Sequence, residues 1–277
     1  MDPKTLIYME KASRDLMWVV NDPLLMTWPL AEKLQKQLRD QFFGLKGYER
    51  DHIVRELALR FEQHAALGRW FETLLDSALC LKFSRHNVHK NLSDGAGGEL
   101  DFVVTDGQRV LQIECAVKFF LNQDLSRQDL TSFVGPAGKD RLDLKYLKMR
   151  DVQLKRAVPE DIRQKRDVEA VLWMSGCLFY PARAPSVALS GQFAEGLSRR
   201  HSRGVYGQID EVFESLGVGD LLVELGSTWW LTSLNGFPAA ALDFFKLYEF
   251  EDGKRKMVAR LRIVEDHIVE LGRGFVH

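Results

Sequence analysis

Two strand-forming segments joined by a turn constrain the fold of this chain more than any other feature. Apolar side chains occupy every second position from residue 111 to residue 119, which predicts a β-strand over residues 109–119. Residues 99–105 are also rich in strand-forming side chains, and the dipeptide Asp106-Gly107 between the two segments is typical of a tight hairpin. We therefore predict that the two strands pair antiparallel.

Helical patterns precede this hairpin, and a helix and a strand follow it. Apolar residues at helical spacing predict helices at residues 4–20, 31–43, 48–67 and 69–81. Weak alternation indicates a strand at residues 85–92, before the hairpin. After the hairpin, the pattern predicts a charged helix at residues 139–156 and a buried strand at residues 167–180. This order of elements predicts an α/β (α+β) fold.

The same patterns divide the chain into three segments. These are an N-terminal helical region at residues 1–68, an α/β core at residues 69–181 and a C-terminal extension at residues 182–277. Residues 181–207 are rich in Ser, Arg, Pro and Ala, which favours a long connector. After Gln208, short helical and strand-like patterns alternate, and they assign no fold to the C-terminal extension.

Composition excludes several classes of protein. With 45% apolar and 28% charged residues, the chain is typical of a globular protein rather than a disordered one. The net charge of -1 provides no overall attraction to nucleic acid, so a nucleic-acid-binding surface has to be a local patch. We expect no membrane partner and a cytoplasmic location, because the sequence has neither a bilayer-spanning apolar run nor a secretory signal. The three cysteines lie in apolar runs, which favours reduced thiols.

Two acidic residues stand where the predicted hairpin can bring them together. Asp101 lies near the start of the first strand, and Glu114 lies in the middle of the second. Opposite residues of antiparallel strands are about 5 Å apart, so the two carboxylates can meet and bind Mg²⁺ or Mn²⁺. Such an ion can activate water for attack on a phosphodiester. The alternatives are a solvated Asp101 and a Glu114 that forms a buried ion pair with Lys118.

Residues 70–180 resemble the PD-(D/E)xK nuclease superfamily, also called the restriction-endonuclease-like fold, in the order of elements and in the position of both acids. The resemblance implies metal-dependent cleavage of DNA or RNA, with Asp101 and Glu114 as the catalytic, metal-binding acids. It also implies that Glu72, on the preceding helix, assists the metal. Segments near residues 14–23 and 133–136 are similar to an uncharacterised bacterial family known only as a domain of unknown function.

One position departs from the superfamily pattern. The superfamily lysine stands two residues after the second acid, where this chain has Ala116. Lys118 is the nearest lysine on that strand face, but it lies roughly 13 Å from Glu114 along the strand instead of roughly 7 Å. We predict that Lys118 takes the role of the missing lysine. Lys90, on the preceding strand, is the alternative.

Three cations are candidates for contacts with nucleic-acid phosphates, namely Lys90, Arg141 and Lys145. The alternative for Arg141 and Lys145 is a solvated, salt-bridged helix surface. The leading hypothesis is thus a Mg²⁺-dependent nuclease, which hydrolyses phosphodiester bonds in DNA or RNA. A second hypothesis is a catalytically inactive nuclease-fold protein that binds nucleic acid or a protein partner. A third is a structural protein whose acids form ion pairs.

Overall fold

The N-terminal part of the chain is helical, as predicted. The computed structural model describes residues 2–61, 66–124, 129–183, 195–213, 216–249 and 254–276. Its first helices are α1 (Pro3–Asn21), α2 (Pro29–Gly44), α3 (Gly47–Phe61) and α4 (Leu67–Lys82). Proline opens both α1 and α2, where its missing N–H leaves no hydrogen bond unmade. The end predicted for the third helix extends into residues 62–65, which lie outside the described residues.

The rest of the described chain is mainly strands. They are β1 (Val88–Ser93), β2 (Glu99–Asp106), β3 (Arg109–Asn122), β4 (Phe133–Val134), β5 (Asp167–Pro181), β6 (Ser202–Gly207), β7 (Leu221–Glu224), β8 (Lys246–Leu247), β9 (Lys256–Val264) and β10 (His267–Val276). Short helices α5 (Leu142–Asp151), α6 (Glu160–Arg163) and α7 (Ile209–Val212) lie between strands. The 3₁₀ helices are Arg85–Asn87, just before β1, and Leu130–Ser132, Gln153–Lys155, Ser227–Trp229 and Ala239–Phe244. The strand predicted at residues 85–92 therefore begins as a 3₁₀ helix, and the helix predicted at residues 139–156 is shorter than expected.

The predicted hairpin is confirmed. β2 pairs antiparallel with β3, with Asp106 opposite Arg109 and Phe102 opposite Ile113. Gly107 occupies the first central position of the turn with a φ of +59°. Two-residue hairpin turns require a positive φ at this position, which glycine adopts without steric cost. The turn and the strands therefore specify the same register.

A long parallel pair forms the centre of the sheet. β5 pairs with β3 from Arg109 opposite Asp167 to Leu121 opposite Phe179. A parallel pair needs a crossover connection, and the segment that contains α5 provides it. In β5, Gly176 has a φ of +142°, and a Cβ at this position would lie 1.7 Å from the carbonyl oxygen of Lys118. Only glycine permits such a close approach of the two strands.

The C-terminal segment continues the same sheet. β6 pairs parallel with β5, and β10 pairs parallel with β6. Within the described residues the sheet has ten strands, in the order β1-β2-β3-β5-β6-β10-β9-β7-β8, with β4 paired to β3. The connector predicted at residues 181–207 is therefore wrong over Ser202–Gly207, which is β6. Most residues of β6 are only half-buried, and pairing with strands on both sides holds it in the sheet. Residues 184–194 of the predicted connector lie outside the described residues.

Helices cover both faces of the central strands. On one face, the side chains of Ile113 and Val117 belong to the same hydrophobic cluster as α1 to α4. On the other, Ala116 and Phe120 pack with Leu142 and Met149 of α5. Because successive side chains of a strand alternate between faces, Glu114 lies on the α5 face. The fold class predicted from the sequence, a mixed α/β fold, is confirmed.

A buried ion pair joins the N-terminal helices to the C-terminal segment. Lys11 and Asp15, one turn apart in α1, form this pair, and both side chains are fully buried. The ammonium group lies 4.4–5.4 Å from the centroids of three aromatic rings, those of Phe61, Trp70 and Trp229. Asp15 also accepts a hydrogen bond of 2.5 Å from the hydroxyl of Thr232. The hydrophobic cluster around this pair extends to β3 and β9, so all three segments of the sequence share one core.

No helix in the described part of the chain is both long and apolar enough to span a bilayer.

Candidate functional site

The candidate site lies where β2 and β3 separate. Regular pairing of the two strands ends with Phe102 opposite Ile113. Beyond this pair, the Oδ2 atom of Asp101 accepts a hydrogen bond of 2.8 Å from the backbone N–H of Cys115. The adjacent strand is irregular at the same level, where Asn91 of β1 has a φ of +54°. The carboxylate of Asp101 therefore takes the place of a backbone partner and is held between two strands.

Glu114 is fully buried on the α5 face of β3. Its Oε2 atom accepts a hydrogen bond of 2.7 Å from Nε2 of Gln153, in the 3₁₀ helix that follows α5. Among the described residues, neither Oε1 of Glu114 nor Oε1 of Gln153 has a hydrogen-bond partner. Both atoms are acceptors, and buried acceptors are rarely left without a donor. A proton on Glu114, or a bound cation, would satisfy this pair.

The surroundings of Glu114 favour its protonated form. Burial, and after it the negative charge of Asp101, raises the pKa of Glu114 from 4.5 to about 8. Arg156 and Lys145 act in the opposite direction. A carboxyl group with such a pKa carries a proton over much of the neutral range, and a cation has to displace this proton in order to bind.

Glu72 approaches Asp101 from the opposite face of the sheet. It lies on α4, and its side chain is partly buried. Burial raises the pKa of Glu72, and the charges of Asp101 and Glu99 raise it further, whereas Lys90 lowers it. Asp101 is therefore the residue that links the other two predicted acids, with Glu72 on one face of the sheet and Glu114 on the other.

The donor atoms at this site suit a small, hard cation. Among the described residues, no group of three or more His, Cys, Asp or Glu side chains is arranged to hold a metal ion. A smaller set of oxygen donors is present, namely the carboxylates of Asp101 and Glu114 and the amide oxygen of Gln153, which has no partner among the described residues. Mg²⁺ prefers oxygen donors and keeps several of its waters, so one or two protein carboxylates are enough to bind it.

Lys145, on α5, is a cation that interacts with both acids. Its presence lowers the pKa of Glu114. The pKa of Lys145 is itself lowered, first by burial and then by repulsion from Lys118, while Asp101 acts to raise it. The sequence suggested Lys145 only as a phosphate contact, whereas the structure brings it to the acidic site.

Lys118 lies on the same strand face as Glu114, as predicted, but its Nζ atom is 2.6 Å from the carboxylate of Asp140. The ion pair between Glu114 and Lys118, which was the alternative for Glu114, is not formed between these two described residues. Lys118 instead binds Asp140, and Glu114 binds Gln153. The catalytic role predicted for Lys118 stays a prediction.

Lys90 and Arg141, the other two residues predicted to contact phosphates, each form an ion pair with an acidic neighbour. The Nζ atom of Lys90 is 3.6 Å from the carboxylate of Asp76. Arg141 precedes the first residue of α5 and donates two hydrogen bonds to Asp143, at 3.0 and 2.6 Å. For Arg141, this arrangement matches the salt-bridged helix surface that was the alternative.

Sequence reasoning missed two residues of the site. Gln153 binds Glu114, and Arg156 donates a hydrogen bond to the backbone carbonyl of Glu99, beside Asp101. Both lie near the C-terminal end of the helix predicted at residues 139–156. Their side chains belong to no periodic pattern and to no recognisable motif. The only signal was their position in the crossover that follows β3.

The fold and the site together define a mixed α/β protein in which two acidic residues, Asp101 and Glu114, interact electrostatically where two antiparallel strands separate. A family model matches residues 14–276, and the chain belongs to this family, which is described as a domain of unknown function (DUF1853). The expected membership of a domain-of-unknown-function family is thus confirmed. No curated protein and no solved structure matches the chain at a significant level.

Proposed function

We propose that the protein is a divalent-metal-dependent nuclease that hydrolyses phosphodiester bonds in DNA or RNA, as the PD-(D/E)xK nucleases do. One observation carries the proposal. Asp101 and Glu114 interact at the separation of β2 and β3, and a buried oxygen of Glu114 has no partner among the described residues. An acid in such a position is costly to the fold unless a proton or a cation compensates it. A role in metal binding would explain why the fold tolerates the energetic cost of burying Glu114.

In this proposal, Asp101 and Glu114 bind Mg²⁺ or Mn²⁺, and the amide oxygen of Gln153 is the third candidate ligand. When bound, the ion would lower the pKa of a water molecule and stabilise the charge that develops on the phosphate. The hydrogen bond from the backbone of Cys115 holds the carboxylate of Asp101 in place. Glu72 lies on the far side of Asp101, where its charge increases the attraction of the site for a cation.

Two lysines are candidates for the cation that offsets charge at the reacting phosphate. Lys145 is partly buried on α5 and interacts with Asp101, and its pKa is lowered from the usual lysine value, first by burial. Lys118 has the strand position predicted from the sequence. In this proposal, its ion pair with Asp140 has to break before it can contact the phosphate of the substrate. Because Lys118 also repels Lys145, substitution of either lysine affects the other.

The test is cleavage of labelled DNA and RNA, together with calorimetric titration of Mn²⁺. We expect cleavage that EDTA abolishes, and Mn²⁺ binding that Asp101→Asn and Glu114→Gln each remove, because both changes replace an anionic ligand by a neutral one of the same shape. Asp161→Asn, in the exposed first turn of α6, is the control matched in charge and should behave as the parent. Unchanged Mn²⁺ binding in both site variants would place the metal elsewhere.

The second candidate function is binding of nucleic acid or a protein partner without catalysis. Two observations favour it, namely the lack of a three-residue metal-binding group in the described part of the chain and the ion pair that holds Lys118. Nucleic-acid binding without cleavage at any pH or metal concentration would support this candidate against the nuclease.

A further inference from the structure

A groove with a volume of about 870 Å³ lies between α2 and the segment that begins at residue 195. Its walls carry an excess of positive charge. The described cationic residues that line it are Lys33, Lys36, Arg39, Arg199 and Arg200, and Glu32 is the one acidic residue among the described lining residues. Since the whole chain has a net charge of -1, this excess is a local feature and not a consequence of composition.

The positive charge of the groove is not neutralised within the described part of the chain. None of the five cationic side chains forms an ion pair or a hydrogen bond with another described residue, and all except Arg39 are exposed. The exposed Arg150 of α5 differs in this respect, since it binds Asp151 at 2.7 Å. Uncompensated charges that line a concave surface produce a strong local potential for anions.

Hydrogen bonds hold the walls of the groove in place. Met26 and Leu197 form an antiparallel bridge, and the backbone N–H of Thr27 donates to the carbonyl of Gly196 at 2.7 Å. Near the middle of α2, the amide of Gln35 donates to two backbone carbonyls, that of Val19 in α1 at 3.1 Å and that of Asp22, just after α1, at 2.8 Å. The backbone of the groove walls is therefore held in place by hydrogen bonds, and the cationic side chains extend from this backbone.

The lining suggests the kind of ligand. No aromatic residue is among the described residues that line the groove, so it has no platform on which unpaired bases stack. Long cationic side chains suit phosphate groups, and contacts with phosphates position a duplex without reading its sequence. A flat membrane surface would not reach into a concave groove. We propose that this groove binds the phosphate backbone of double-stranded nucleic acid, independently of sequence.

The groove is separate from the acidic site. A neighbouring depression, which shares Thr27 with the groove, is bordered by Tyr146, Leu147 and Arg150 of α5. Given about 3.6 residues per helical turn, Lys145 lies on the other side of α5, where it interacts with Asp101. The proposal for the groove therefore does not rest on the proposed nuclease activity.

The test is fluorescence anisotropy with a labelled DNA duplex of about two helical turns, in EDTA so that metal-dependent cleavage does not interfere. The test variant combines Lys36→Ala, Arg199→Ala and Arg200→Ala. The control variant removes three exposed cations elsewhere, through Arg55→Ala, Arg163→Ala and Lys165→Ala. Both variants lose the same charge, so a difference between them reports the position of the charges and not their number.

We expect the parent to bind the duplex with an affinity that falls steeply with salt, because binding releases counterions from DNA. The test variant should bind at least about ten-fold more weakly at 0.1 M salt, and its log–log salt slope should be smaller by about one for each phosphate that the variant no longer neutralises. The control variant should bind within about two-fold of the parent.

Equal weakening in both variants would overturn the proposal, because it would show that only overall charge matters. Absence of duplex binding by the parent would also overturn it, as would binding to vesicles that contain phosphatidylserine together with no binding to DNA. Failure of the nuclease proposal gives a different result, namely duplex binding that depends on the groove with no cleavage when Mg²⁺ is added.

Discussion

The buried carboxyl group of Glu114 makes the stability of the metal-free protein depend on pH. Its pKa is raised from 4.5 to about 8, first by burial and then by Asp101. The pKa in the folded state is above the unfolded value, so the unfolded chain releases this proton first as the pH rises. The stabilising contribution of protonated Glu114 is therefore complete below a pH of about 4.5, and it is lost as the pH rises through about 8.

The size of this effect follows from the two pKa values. Each unit of difference corresponds to about 1.4 kcal/mol, so the interval from 4.5 to about 8 sets an upper limit of about 5 kcal/mol. We expect about 2–3 kcal/mol between pH 5 and pH 8, because water penetration and local relaxation reduce the penalty for a buried charge. Arg156 and Lys145 reduce it further, since both favour the ionised form.

Glu114→Gln isolates this contribution. The variant keeps the shape of the side chain and an oxygen that can accept the hydrogen bond from Gln153, but it has no proton to release. The measurement is urea unfolding of parent and variant in EDTA at pH 5, 6, 7 and 8. We expect the stability of the parent to fall by about 2–3 kcal/mol relative to the variant over this range, so that Glu114→Gln is the more stable protein at pH 8.

Titrating groups that do not interact with Glu114 behave alike in parent and variant, so their effects cancel in the difference. A difference that stays constant from pH 5 to pH 8 would refute the argument, because it would mean that Glu114 ionises in the folded protein as easily as in the unfolded chain. Addition of Mg²⁺ at pH 8 gives a second comparison, in which the proposed site stabilises the parent and not the variant.

Three further predictions concern other parts of the molecule. If Lys145 is the lysine of the active site, Lys145→Ala should lower single-turnover cleavage by a factor on the order of 10², whereas Lys118→Ala should have the smaller effect; the opposite order would assign the role to Lys118, as the sequence predicted. Gly176→Ala should destabilise the protein by at least about 2 kcal/mol in urea unfolding, because its Cβ would lie 1.7 Å from a backbone oxygen of β3; a loss below about 0.5 kcal/mol would show that the strands move apart easily. Asp15→Ala should cost about 3–5 kcal/mol in the same assay, since it leaves Lys11 buried without its partner, and replacement of both residues by apolar side chains should restore much of that loss.

The β2–β3 hairpin and its acids illustrate what local sequence can predict. A strand of period two, a second strand-forming segment and a Gly at the turn specify an antiparallel pair, and the pair brings Asp101 and Glu114 together. All of these signals lie within about twenty residues of one another in the chain, where pairing needs only a short turn. The site residues that depend on this hairpin were accessible to sequence reasoning for the same reason.

The remaining contacts of the site were not accessible in this way. Gln153 and Arg156 reach the acids through the crossover between β3 and β5, and no periodic pattern indicates where a crossover packs. Lys118 has the predicted face, but its partner is Asp140, a residue of the loop before α5. The alternation of side chains along a strand predicts the face on which a residue lies. The partner of that residue depends on how distant segments pack together, which the strand pattern does not predict.

The C-terminal strands show the same division on a larger scale. The sequence by itself determined the N-terminal helices, the hairpin and the class of the fold, because apolar periodicity and turn chemistry act over short stretches of chain. Only the tertiary structure decided that β6 lies between β5 and β10, and that the sheet extends into the C-terminal segment. β6 is short and half polar, and its pairing on both sides is made by strands distant from it in sequence. Pairing of this kind depends on backbone hydrogen bonds between distant segments, which leave no pattern in either segment alone.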